Sequence, residues 1–532
     1  MPPARPLFSR NGKGAAFIDI ARFFSYFDKA PINFLNLSIL DMSKPLNILF
    51  VTSEAEPFAK TGGLADVSSA LPQMIKELGH EIRIMMPRYG TISERKFKLH
   101  DVIRLREIPI TIGTETRVAH VNSSFISNLK AKVQVYFLAN KDMFDRPGMY
   151  VHPTTKKDYE DNDTRFIFFC RGVLDTLKLL GWKPDIIHCN DWQTGLIPAY
   201  LKTVYKNDPF FKNIKTVFTI HNLAFQGVFP AVSFDKTGLP GTEFTMEGVE
   251  FYDKLNFMKA GLMYSDVITT VSEKYAQEIS TTVEFGCGLE GVLQQRKAAL
   301  HGIINGVDYA IWNPETDEHL ENRYDIKSLE GKAANKRELV EKFKLEYQEH
   351  VPVIGMISRL ADQKGFDLIK EVADDLLKMD IQMIFLGSGE KKYHDFLESL
   401  RKKYPKKVGI EFGFHDELAH LIEAGTDMFL MPSQYEPCGL NQIYSLKYGT
   451  VPIVRATGGL DDTIQDVDGA NGTGFKFKKY ESKELLKVVQ KAVKTFGDQK
   501  TWQKIMKNGM SKDFSWESSA KKYISLYRNL LK

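Results

Sequence analysis

Short apolar runs alternate with helical stretches through most of the chain, and the alternation starts twice. The first series opens at Leu46-Asn47-Ile48-Leu49-Phe50-Val51 and the second at Pro352-Val353-Ile354-Gly355-Met356-Ile357. Runs of this kind suit parallel strands covered on both faces. Parallel strands need a crossover between them, and the helical stretches supply it. Further strands are expected at His80–Pro87, 132–138, Asp185–His188, Lys215–Ile220 and Asp266–Val271, with an antiparallel hairpin near 105–120. Helices fit Val67–Leu78, Asp163–Leu180, Gly195–Tyr205 and Lys254–Tyr264. The second series continues with strands at Gln382–Leu386, Val408–Phe412, Met428–Met431 and Pro452–Val454. The pattern predicts an α/β chain of two tandem Rossmann-like domains, 45–302 and 303–511, with a cleft between them.

Composition narrows the function classes. At 532 residues the chain exceeds one ordinary core. Its 43% apolar and 26% charged residues are ordinary for a globular protein, and a net charge of +4 gives no support to a nucleic-acid or membrane-surface role. Cys170, Cys189, Cys287 and Cys438 are scattered with no C-x-x-C pair, so neither a zinc site nor a disulfide framework is expected, and a reducing compartment is. No apolar run approaches the ~18 residues of a membrane helix. Residues 1–44 read as an N-terminal extension, unstructured or targeting. Arg5, Arg10 and Lys13 without acids faintly resemble a transit peptide, though serine richness is missing.

The polar and glycine motifs fall at strand ends, where open α/β sheets bind ligands. Lys60-Thr61-Gly62-Gly63-Leu64-Ala65-Asp66-Val67 joins the first strand to the first helix. Its glycines suit close approach of an anion to backbone N–H groups, but a plain βα bend explains them equally well. Ser358-Arg359-Leu360-Ala361-Asp362-Gln363-Lys364-Gly365 sets two cations at a second such turn, a combination suited to a diphosphate. In Glu436-Pro437-Cys438-Gly439-Leu440 the carboxylate could receive sugar hydroxyls or cap a helix, with N–H groups of Gly439 and Leu440 at the helix start. Thr457-Gly458-Gly459-Leu460 repeats the glycine turn and is a further candidate phosphate-facing helix start. His221 ends a strand, and Asp191 follows another. Nothing suggests a nucleophilic triad or a metal site, and no G-x-G-x-x-G is present, which disfavours a dinucleotide oxidoreductase.

Taken in order, these motifs resemble those of bacterial glycogen synthases and plant starch synthases. The resemblance runs through His188-Cys189-Asn190-Asp191-Trp192, Thr219-Ile220-His221-Asn222 and Asn305-Gly306-Val307-Asp308 and spans about residues 46–530. It implies a retaining glycosyltransferase of the two-Rossmann GT-B fold, using ADP-glucose as co-substrate and an α-1,4-glucan primer as acceptor. Arg359 and Lys364 would hold the donor diphosphate, with Lys60, Gly62 and Gly63 approaching it from the opposite domain. Glu436 would bind the glucose hydroxyls beside the Cys438, Gly439 and Leu440 backbone. His221 and Asp191 would contact the glucose or the acceptor. Thr457, Gly458 and Gly459 would close over the phosphates, and Asp66, Asn305 and Tyr444 would complete the substrate contacts. No cofactor is expected, since fixed cations can stabilise the leaving group without a metal. The segment 512–532 would form a helix crossing back to the first domain. The resemblance implies a cytoplasmic enzyme, or a plastid one if the extension is a transit peptide. A glucan-binding scaffold without activity is the rival reading; it would be expected to lack Arg359, Lys364 or Glu436.

Overall fold

The computed structural model describes residues 44–532, and the expectations for the N-terminal extension lie outside the described residues. Seven parallel strands form the spine of the first sheet. Their spatial order is Leu300–Gly302, Val267–Thr270, Lys215–Ile220, Ile186–Asn190, Asn47–Val51, Glu81–Pro87 and Lys132–Ala139. Glu115–Ser127 adds antiparallel to the last of these and forms a hairpin with Ile108–Ile112. The second sheet has six parallel strands in the order Val408–Phe412, Gln382–Gly387, Val353–Ile357, Met428–Met431, Val451–Arg455 and Phe475–Phe477.

In each sheet the strand that comes first in the spine's sequence lies inside, with later strands on both sides. The connections leaving it and its neighbour therefore diverge, and a crevice opens at their carboxyl ends. In the first sheet this point lies between Asn47–Val51 and Ile186–Asn190, and in the second between Val353–Ile357 and Met428–Met431.

Several element limits differ from the sequence reading. The first helix begins at Gly63, four residues before Val67, so the glycine pair straddles the helix start. The helix expected from Lys254 begins at Phe257. Asn256 caps it, its Oδ1 accepting from the Lys259 N–H at 2.9 Å. Lys254–Asn256 pairs instead with Val228–Pro230 as a two-stranded ribbon. A 3-10 turn, Trp192–Thr194, precedes the helix Leu196–Lys202, which stops three residues short of Tyr205. The three-residue strands Leu300–Gly302 and Phe475–Phe477 are too short to register as apolar runs.

The chain enters the second domain and returns along one narrow clasp. Val307 N–H donates to Phe514 C=O at 2.9 Å, and Ser519 Oγ donates to Ile304 C=O at 2.7 Å. The helix Trp516–Leu530 then buries Trp516, Ala520, Tyr523 and Tyr527 in the core of the first domain. The Tyr527 hydroxyl lies 2.7 Å from His188 Nδ1, and His188 Nε2 lies 2.6 Å from Thr219 Oγ1. Burial pushes the His188 pKa down to about 3, so the ring stays neutral and serves as a hydrogen-bonding joint. At the clasp a Cβ on Gly306 would stand 2.4 Å from Trp516 Cα, inside contact distance of backbone. Gly306→Ala should therefore cost about 1–3 kcal/mol of overpacking or more. The measurement is the thermal unfolding midpoint, expected to fall by several degrees; an unchanged midpoint would show that the two crossovers can part at no cost.

Candidate active site

A cavity of about 340 Å3 opens at the carboxyl ends of the second sheet, at its switch point. Each wall continues a strand. Ser358 and Arg359 follow Val353–Ile357, Gly387 and Ser388 end and follow Gln382–Gly387, and Gly413 and Phe414 follow Val408–Phe412. Ser433 and Glu436 follow Met428–Met431, and Gly439, Leu440 and Asn441 lead into the next helix. That helix begins at Asn441, so Gly439 and Leu440 precede its first turn.

Arg359, Lys364 and Glu436 share this wall. Lys364 Nζ donates to Glu436 Oε2 at 2.6 Å, and Ser433 Oγ donates to the same oxygen at 3.0 Å. Gln363 braces the turn, its Nε2 donating to Tyr435 C=O and its own C=O accepting from Gln434 N–H. Arg359 is exposed and reaches Gln363 Oε1 at 3.3 Å. The result is a half-buried ion pair with an adjacent exposed guanidinium, which suits an incoming anion. Phe414 and Gly413 were not singled out in the sequence, whereas Ser388 lies in the strand-end motif Gly387–Glu390. Their signal is the same as for the others, position just past a strand end. Phe414 is 85% exposed at the cavity mouth, with no ring stacked on it among the described residues.

The two Gly-Gly-Leu turns look alike in sequence and do different work. A Cβ on Gly62 or Gly63 would meet nothing within 4 Å, so these glycines are not required for packing. A Cβ on Gly458 would lie 2.1 Å from Glu436 C=O, and one on Gly459 1.9 Å from Cys438 C=O. Gly459 N–H donates to the Glu436 and Pro437 carbonyls at 3.1 Å each. The second pair thus supports the Glu436 loop from beneath. Its helix start is not open to phosphate in this arrangement: Glu278 of the first domain accepts from Thr457 Oγ1 at 3.1 Å and from Gly458 N–H at 3.0 Å. Asp462 returns the contact, accepting from Ser272 Oγ at 2.7 Å and from Lys274 N–H at 3.0 Å. Each domain caps a helix of the other, a reciprocal latch across the cleft.

The first-domain turn is also held by a carboxylate, one that the sequence reading missed. Buried Glu54 accepts from Thr61 N–H at 2.6 Å, Thr61 Oγ1 at 2.5 Å and Gly62 N–H at 3.3 Å, with the Tyr150 hydroxyl at 2.8 Å. Lys60 pairs with Asp66 at 2.6 Å, both side chains exposed. Asp191 has φ of 55°, a strained value for a residue with a side chain. Its Oδ1 accepts from the His221 N–H at 2.8 Å, while His221 Nε2 lies 2.9 Å from Asn190 Oδ1. Asp191, His221 and the Glu54-held turn thus cluster at the first sheet's switch point.

The remaining candidates lie outside the lining of the cavity. Asn305 is buried beside the clasp. Cys438 is buried within the first domain's core cluster, and burial raises its thiol pKa to about 12, which removes it as a nucleophile. Tyr444 stacks on Trp312 with ring centroids 4.0 Å apart.

Burial raises the Asp191 carboxyl to about 7 from 3.8, against the N–H donors of His221 and Asn222 that lower it. A raised carboxylate pKa stabilises the fold below the unfolded value, and that contribution is lost as pH rises through the folded one. Wild-type stability should therefore fall between pH 4 and 7 by a component that Asp191→Asn removes. Denaturant midpoints measured across that range check it, and parallel profiles for the two proteins would refute it.

Comparison with known proteins agrees with this geometry. Residues 47–295 match the family model described as starch synthase catalytic domain, and 338–509 match glycosyl transferases group 1. The chain is 47% identical to a glycogen synthase of Koribacter versatilis, over 91% of this chain and 98% of that one. It is 45% identical to a glycogen synthase of Thermotoga petrophila, over 91% and 99%. Among solved structures it resembles the catalytic domain of starch synthase IV from Arabidopsis thaliana bound to ADP and acarbose. The TM-score is 0.81 and the identity 29%, covering 92% of this chain and 100% of that one. A sucrose-phosphate synthase from Thermosynechococcus elongatus shares the fold, with a TM-score of 0.55 at 17% identity over 91% and 99%. With two Rossmann-like domains, a cation-lined cavity at the second switch point and these relatives, the chain belongs to the glycogen and starch synthase family of GT-B glycosyltransferases.

Proposed function

We propose that the protein transfers glucose from ADP-glucose to the 4-hydroxyl at the non-reducing end of an α-1,4-glucan, with retention of configuration and release of ADP. The observation that carries this reading is the grouping of Arg359, Lys364 and Glu436 on one wall of the cavity. The ADP and acarbose bound to the similar Arabidopsis structure support it. The donor diphosphate takes Lys364 from Glu436 and draws in Arg359. Glu436, released from its ion pair, then accepts hydrogen bonds from the sugar hydroxyls. Phe414 offers a face for the adenine base. The glycosidic C1–O bond to the diphosphate breaks and the acceptor O4 bonds to C1 on the same face. The acceptor proton leaves with the diphosphate. Fixed cations at the leaving group supply the main stabilisation, because charge develops there in the transition state. Gly62 and Gly63 leave space on the facing wall, and the Glu278 and Asp462 contacts hold the domains together to exclude water.

Lys364→Ala should abolish ADP-glucose-dependent elongation of a glycogen primer while leaving the circular dichroism unchanged; full retained activity would sink the diphosphate assignment. In the same assay ADP-glucose should outpace UDP-glucose, and transfer from UDP-glucose alone would reverse the donor assignment. Gly63→Ala fills only open space, so its unfolding midpoint should stay put. Its KM for the donor should rise about tenfold, equivalent to ~1.4 kcal/mol. An unchanged KM would mean that the donor does not approach this turn.

A further inference from the structure

The chemistry proposed above uses neither His420 nor the side chains that His420 touches. His420 is 1% exposed and lies on the helix Asp416–Gly425, next to Ala419 of the cavity wall. Its Nδ1 is 2.7 Å from Asp317 Oδ2. The Tyr448 hydroxyl donates to the same oxygen at 2.5 Å, and the His319 backbone N–H donates to Asp317 Oδ1 at 2.9 Å. A carboxylate oxygen accepts hydrogen bonds, so Nδ1 facing Asp317 is the donor in the tautomer that leaves Nε2 a free lone pair. Nε2 is buried and has no hydrogen-bond partner among the described residues.

Two further side chains complete a set around it. Asp416 precedes His420 by one helical turn, so both project from one face of the helix. The His319 ring lies 4.6 Å from the His420 ring, centroid to centroid. His319, Asp416 and His420 each bring a ligand atom within 4.8 Å of the others. We propose that these three residues bind a divalent transition-metal ion, Zn2+ in the first place, with Asp317 and Tyr448 orienting His420. Two imidazoles and one carboxylate are the donor set that borderline divalent ions prefer, and a carboxylate behind a ligating imidazole is the usual means of fixing its tautomer. Zn–N bonds of about 2.0–2.1 Å require ligand atoms closer than this, roughly 3.4 Å apart in a tetrahedron. His319 and Asp416 are exposed, so both can close in on the fixed His420 and both are open to an arriving ion. Three protein ligands leave a further position for water. The site is separate from the donor cavity, whose wall includes Ala419, the residue before His420. Trp312 lies flat on His420 at 3.8 Å and on Tyr444 at 4.0 Å.

The test uses the untagged full chain stripped with chelator and titrated with Zn2+ by calorimetry, then with Co2+ by visible absorption. One equivalent of each should bind, with a Co2+ ligand-field band and a change in tryptophan fluorescence that is absent in Trp312→Phe. His319→Ala and Asp416→Ala alter exposed positions and leave the buried Asp317–His420–Tyr448 hydrogen bonds in place. Each should weaken Zn2+ binding about tenfold or more. No binding by the wild type, or equal affinity in the double variant, would overturn the proposal. Neither outcome depends on glucosyl transfer.

Discussion

The close passage of Gly306 beneath Trp516 is the constraint on which the rest depends. Two Rossmann-like domains each have their own core, and each could fold around its own sheet. What makes them one unit is that the chain leaves and re-enters the first domain at the same place. The hydrogen bonds Val307–Phe514 and Ser519–Ile304 tie the two crossovers side by side. The returning helix then anchors itself through Tyr523 and Tyr527 beneath the first sheet. The carboxyl ends of the two sheets carry further contacts between the domains, Glu278 with Gly458 and Asp462 with Ser272.

Those ends show a recurrent electrostatic arrangement. Glu54 accepts the N–H groups of the first glycine turn, Glu278 caps the second, and Glu436 holds Lys364. In each place a carboxylate stands where an anionic ligand could make similar contacts. Buried N–H groups and cations that await a ligand would otherwise be costly to leave unpaired. An internal carboxylate satisfies them. At Lys364 the neighbouring Arg359 is exposed and makes one 3.3 Å contact to Gln363. At Gly458 the acid, Glu278, comes from the other domain and also joins the two.

Much of this was legible in the sequence, and the limits of legibility were physical. Short apolar runs marked most of the parallel strands, because burial on both faces leaves no polar alternation. Three-residue strands such as Phe475–Phe477 carried no such signal. The Lys254–Asn256 ribbon was read as helix because a stretch that short has no period of its own. Arg359, Lys364 and Glu436 were singled out by position and charge, and the structure brings them together. Glu54 was missed because its role needs Thr61, Gly62 and Tyr150 around it, and Tyr150 is nearly a hundred residues away in the chain. Phe414 was missed because one aromatic after a strand is ordinary until its exposure is seen.

By itself the sequence determined the fold class, the strand ends where the polar and glycine motifs sit and the family whose ordered motifs the chain shares. All of these follow from local pattern, since burial and turn geometry act over a few residues. Only the tertiary structure decided which of two identical Gly-Gly-Leu turns is open and which is packed. The difference is whether a Cβ would meet empty space, as at Gly63, or the Cys438 carbonyl, as at Gly459. That depends on backbone brought near from elsewhere in the chain, and no local pattern records it.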